Sequence, residues 1–230
     1  MNSNQENSLD NSKLRYLYQA VQILLFAGAV ITISCVGMAH MTTQGIINVA
    51  LDLMSMFVLA IIYSNCYHGR ELNNTRELRA LVFVLYLCVF FEVGIWLFDT
   101  LAPYRILNYI CNIGCNSTIL IATYLYFLFV KKSRGIDANV YPWLRGFMRT
   151  VMISGITAEV MNCIGGYFYV IDAAGVYVRG AYGSLLGYIP FLLILSGVAL
   201  FIIRQKMDWQ TKFRYMSYGI MPFVTSLWYT

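Results

Sequence analysis

The chain has 230 residues, of which 59% are hydrophobic and 12% charged, with a formal net charge of +5. That is too little polar material to cover a soluble globule of this length, so a lipid bilayer is the expected solvent and partner. The positive surplus is explained by where lysines and arginines fall between apolar runs, which argues against nucleic acid as a partner.

Residues 1–15, rich in Asn and Ser, read as a short disordered cytoplasmic tail. Six apolar runs follow, at 16–39, 46–67, 80–101, 106–130, 148–171 and 184–203. Each is near the roughly 20 residues that cover a hydrocarbon core of about 30 Å at a rise of about 1.5 Å per residue. A seventh run, 216–230, stops short of a full span at Thr230 without a basic flank, so the natural protein is expected to continue. Lipid-facing backbone must be satisfied within its own segment, and unbroken runs without alternation choose helices over barrel strands. The expected fold is all-α: a polytopic transmembrane helix bundle, residues 16–230, with six complete spans plus a truncated seventh.

The basic residues set its orientation. Lys13, Arg15, Arg70, Arg76, Arg79, Lys131, Lys132, Arg134, Arg145, Arg149, Arg204, Lys206, Lys212 and Arg214 fall on one side; Arg105 and Arg179 fall on the other. Positive charge stays inside, which makes the N-terminus cytoplasmic. A cytoplasmic domain beyond Thr230 would then require an eighth span. The alternative, a cleaved signal ending at Gly37-Met38-Ala39, is set aside because the run is longer than a signal core and follows Glu6 and Asp10. Connections 40–45, 102–105 and 172–183 are short, and the inner connection 131–147 suits an interfacial turn with Trp143 at headgroup depth.

All six cysteines lie in or at the edge of runs, where thiols act as small hydrophobes, so no disulfide framework is expected. Cys111 and Cys115 are one turn apart, but His40 and His68 fall on opposite sides, and no metal or other cofactor is expected. Phosphate-cradling, dinucleotide, zinc-protease and serine-hydrolase motifs are absent, so this segment is not read as an enzyme. Sequons at Asn73 and Asn116 fall inside and within a span and are discarded. Gly183 and Gly187 form a G-x-x-x-G pattern compatible with close helix packing.

The informative residues are polar groups at membrane depth, where a carboxylate costs about 2.5–3.5 kcal/mol and needs a partner, a proton or water. Helical spacing puts Asn48, Asp52 and Ser55 on one face, and Cys88, Glu92 and Asp99 on another. Asn108, Asn112 and Asn116 share a third, and Glu159, Asn162, Cys163 and Gly166 a fourth. Two readings stay open. One is a hydrated ligand pocket open to the outside, formed by Asp52, Glu92, Asp99, Asn108, Asn112, Glu159 and Asn162 with Arg105 and Arg179 at its mouth. The other is interhelical hydrogen bonding without a ligand.

From Ile46 onward the order of features resembles a family. Asn48-x-x-x-Asp52 opens a span, a basic turn runs through Arg70 to Arg79, and a span ends in Phe98-Asp99. Asn108 and Asn112 follow, then Gly175-Val176-Tyr177-Val178-Arg179-Gly180, Tyr188-Ile189-Pro190 and Met221-Pro222. This resembles the N-terminal multi-span sensory region of bacterial diguanylate cyclases of the GGDEF class and of related histidine kinases. The extra first span and the lack of an output domain depart from the pattern. The resemblance implies the bacterial inner membrane, a small-molecule ligand from the outer side, homodimers, and control of a cytoplasmic enzyme beyond Thr230. Pro190 and Pro222 are candidate flexure points. The competing class is a transporter or substrate-binding membrane subunit using paired carboxylates, although no inverted repeat is visible. A structural or assembly protein without ligand is a third class.

Overall fold

The computed structural model describes residues 3–66, 76–133 and 141–217, excluding side chains of 3–15 and 184–188. The helices are α1 (Ser3–Val36), α2 (Thr43–Asn65), α3 (Arg76–Phe98), α4 (Arg105–Ser133), α5 (Pro142–Gly165) and α6 (Gly183–Arg204). Between α5 and α6 stands a hairpin of β1 (Tyr169–Ile171) and β2 (Tyr177–Arg179). Residues 209–217 are also helical, opened by Asp208, whose Oδ2 accepts the Thr211 N–H at 2.8 Å. The described residues are thus all-α apart from one short hairpin. Helix α1 starts at Ser3, inside the tail expected to be disordered.

Local chemistry sets the helix ends. Thr42 caps α2, its hydroxyl accepting the Gly45 N–H at 3.1 Å. Pro142 opens α5 where its missing N–H costs nothing. Gly166 closes α5 at φ +62°, its N–H bonding the Asn162 carbonyl at 2.8 Å. The run expected to stay helical to Ile171 therefore breaks at Gly165-Gly166, and the aromatic and β-branched stretch behind it forms β1.

Among the described residues, four helical segments are long and apolar enough to cross a membrane: Tyr16–Val36, Thr43–Asn65, Arg76–Phe98 and Ala102–Ser133. The expectation of six complete spans is corrected to this lower number. Helix α5 carries Arg145, Arg149 and Glu159, and the described apolar stretch of α6, Ile189–Arg204, is too short. Most of the expected seventh span, with Met221-Pro222, lies outside the described residues, as do 67–75 and 134–140. Exposed apolar side chains, such as Leu51, Met54, Phe57, Val58 and Ile61 along α2, fit a bilayer rather than water.

The chain forms two compact units. The first comprises Met1–Cys115 with Ile171–Tyr177; the second comprises Asn116–Val170 with Val178–Thr230. In the first, Ala29, Val49, Met56, Tyr86 and Val93 make the central core of α1, α2 and α3. Tyr63, Cys66 and Val82 extend it at one end, and Leu97, Phe98 and Cys111 at the other. Helices α3 and α4 meet through glycines. A Cβ at Gly94 would stand 2.4 Å from the Cys111 sulfur, and one at Gly114 2.7 Å from the Phe91 ring.

In the second unit, Leu120, Tyr124, Phe127 and Val130 of α4 pack with Leu144 and Met148 of α5 and Phe191, Ile194, Val198 and Phe201 of α6. Gly155 admits Leu120 and Pro190, and Gly197 admits Met148. Pro190, expected as a flexure point, lies inside α6 with its ring against Gly155. Gly183 of the G-x-x-x-G pattern faces the Phe168 carbonyl and Arg179, not another helix.

Candidate functional site

The expected pocket residues resolve into three polar groups, two in the first unit and one in the second. The best ordered holds the turn of the hairpin. Asp172 folds it: its N–H bonds the Val176 carbonyl at 3.0 Å, and its Oδ1 accepts from Ala174 N–H at 2.8 Å and Val176 N–H at 2.9 Å. Gly175 sits at φ +88°, and a Cβ there would stand 2.7 Å from the Leu101 backbone. Only glycine suits both conditions.

This turn is clamped from α4 and the segment before it. Arg105 Nε donates to the Ile171 carbonyl at 2.7 Å, and the Ile171 N–H donates to the Tyr109 hydroxyl at 2.9 Å. The Gly175 carbonyl accepts from Asn108 Nδ2 and from the Thr100 N–H, each at 3.2 Å. Asn112 Nδ2 supports Asn108 through Oδ1 at 2.7 Å and the backbone carbonyl at 2.9 Å. Thr100 lies at φ 63°, a region that β-branched residues avoid, so its backbone is strained where it meets the turn. Arg105, Asn108 and Asn112, expected in a pocket, therefore have structural partners here.

The second group faces between α2 and α3. Asn48 is buried; its Oδ1 accepts from Gln44 Nε2 at 3.1 Å, while its Nδ2 has no hydrogen-bond partner among the described residues. One turn on, Asp52 Oδ2 is likewise buried and unpartnered among them. Glu92 on α3 is near enough for the two carboxyls to repel each other when both are charged. Asp99, directly after α3, has a buried Oδ1 without a hydrogen-bond partner among the described residues. Ser55 shares the expected face but is exposed and bonds the Leu51 carbonyl of its own helix at 2.8 Å.

The third group belongs to the second unit. Asn162 is buried and clamps the chain after α5, donating to the Tyr169 carbonyl at 2.9 Å and accepting the Phe168 N–H at 2.8 Å. Glu159 is only 2% exposed, with Asn116 and Tyr169 beside it and Oε2 unpartnered among the described residues. Cys163 and Arg179, grouped with these residues or at the pocket mouth from sequence, are exposed.

Comparison of the chain with family models, curated proteins and solved structures finds no match. The chemistry must be read from the groups themselves. Among the described residues, no three His, Cys, Asp or Glu side chains are grouped to hold a metal. What the α2–α3 group offers is an unused donor on Asn48 and an unused acceptor on Asp52, beside a second carboxyl, with apolar walls. Sequence reasoning missed Thr100 and Tyr109, and it did not read Asp172-x-x-Gly175 between apolar stretches as the turn signal it is. It also paired Cys111 with Cys115, whereas the nearest thiols are Cys88 and Cys115, 3.9 Å apart.

Proposed function

We propose that the chain is a membrane-embedded signal-input module of a bacterial inner membrane. A small polar molecule from the outer side binds at the α2–α3 polar group, and the change is passed to a cytoplasmic enzyme, a diguanylate cyclase or histidine kinase, in a homodimer. The module itself catalyses nothing. The observation that carries the reading is the pair of unpartnered buried atoms, Asn48 Nδ2 and Asp52 Oδ2, beside Glu92. A buried polar group left without a partner costs about 1–3 kcal/mol, and a ligand bearing both donor and acceptor would relieve it. The ordered outer turn, held by Arg105, Tyr109 and Asn108, supports a rigid frame around which a bound state differs from an empty one.

The direction of signalling rests on the resemblance to GGDEF-associated sensory regions and on the cytoplasmic placement of the N-terminus by the positive-inside rule. Helix α5 packs along α4 from Leu144 and Met148 near Val130 to Gly155 against Leu120, and Glu159 has Asn116 beside it. A second reading, transport, is favoured by one observation, the proximity of Asp52 to Glu92, since paired intramembrane carboxyls also serve proton-coupled carriers. The native reading frame beyond Thr230 separates the two. A GGDEF or kinase domain supports input; a frame closing without any soluble domain overturns it in favour of transport.

A further inference from the structure

The interface of α3 and α4 brings two thiols together that no motif predicts. Phe91 lies over Gly114 and Cys111 over Gly94, so the two helices approach closely where neither glycine has a side chain to hold them apart. Next in this antiparallel register, Cys88 Sγ stands 3.9 Å from Cys115 Sγ and 4.0 Å from the Cys115 carbonyl oxygen. Both residues are buried, at 8% and 7% exposure. Cys88 lies about 18 Å along α3 from Arg76 and Cys115 about 15 Å along α4 from Arg105, near the middle of a core about 30 Å thick. A contracted disulfide measures about 2.05 Å between sulfurs, so the thiols need to close by about 2 Å.

We infer that Cys88 and Cys115 are a reversible dithiol–disulfide site, oxidised within the bilayer by a lipid-soluble quinone. At this depth the oxidant has to be apolar, because charged or strongly hydrated oxidants do not enter the hydrocarbon. The step balances. Two S–H bonds break and one S–S bond forms; two electrons and two protons pass to the quinone, which leaves as the quinol. A thiol in apolar surroundings reacts slowly unless its proton has somewhere to go. Glu92 and Asp52 lie within electrostatic reach of the Cys115 sulfur and supply acceptors that hand the proton on to the reduced quinone. The bond would tie α3 to α4 and fix their crossing. This site requires only that α3 and α4 cross a bilayer, and it stands apart from the assignment of an input module.

The test uses the full chain in lipid nanodiscs, treated with a decyl-substituted benzoquinone and then denatured and alkylated to count thiols. The expected result is four reactive thiols of the six in the untreated protein, with a cross-linked peptide pair containing Cys88 and Cys115, and six again after dithiothreitol. Cys88→Ala and Cys115→Ala should each keep all five remaining thiols under quinone, while Cys111→Ala should still lose two. Cys→Ser versions of the first two serve where an alanine variant fails to insert. Six thiols after quinone treatment of the wild type, thiol loss that survives Cys88→Ala, or oxidation of this pair only by water-soluble oxidants would overturn the inference.

Discussion

Gly175 concentrates the logic of the hairpin turn. At φ +88° an alanine costs about 1–2 kcal/mol in conformation, and its Cβ would meet the Leu101 backbone at 2.7 Å. Gly175→Ala is therefore expected to lower the thermal midpoint in detergent, and Gly180→Ala, placed 2.5 Å from the Tyr167 carbonyl, should do the same. Asn108→Ala removes one of two donors to the Gly175 carbonyl and should cost about 1 kcal/mol, measured the same way; no change would show that the turn is not held there. Arg105, Asn108 and Asn112 were legible in the sequence as polar residues where polarity is expensive. The partners of Arg105 and Asn108 were not, because they are backbone groups more than sixty residues away, at Ile171 and Gly175, while Asn112 bonds Asn108 one turn back. Hydrogen bonds to backbone leave no side-chain pattern to read.

Helix α5 shows the same limit at the level of elements. Its periodic apolar face, with Leu144 and Met148, was readable as a helix; its end at Gly165-Gly166 was passed over because the apolar run continues unbroken to Ile171. Hydrophobicity alone does not distinguish a helix from the strand that follows it. The number of spans was overcounted for a related reason: the run 148–171 was weighed as one continuous helix, whereas α5 ends at Gly165 and β1 takes up the rest. Packing of this helix depends on absent side chains. Gly155→Ala places a Cβ 2.8 Å from Leu120 Cδ1 and 3.1 Å from Pro190 Cβ, and should destabilise the second unit by about 1–3 kcal/mol. Protease resistance of the segment containing α5 and α6 measures it. Gly146→Ala on the same helix meets nothing within 4 Å and should be neutral or slightly stabilising.

For the whole molecule, the proposed orientation rests on the bias of the basic residues. Single-cysteine variants check it with a membrane-impermeant maleimide on intact cells. On that orientation Cys35, exposed near the end of α1, should label from outside. Cys66, the C-cap of α2, should not on that orientation, and burial pushes its thiol up so that it reacts slowly even after permeabilisation. The question that governs function is whether Asp52 serves a ligand or merely joins helices. Thermal unfolding of Asp52→Leu in detergent separates the two most directly. A residue kept for binding, with Oδ2 buried and unpartnered among the described residues, burdens the empty fold, so the account predicts a higher midpoint, by about 1–3 kcal/mol of stability. A lower midpoint, as expected on losing an interhelical hydrogen bond, would contradict it.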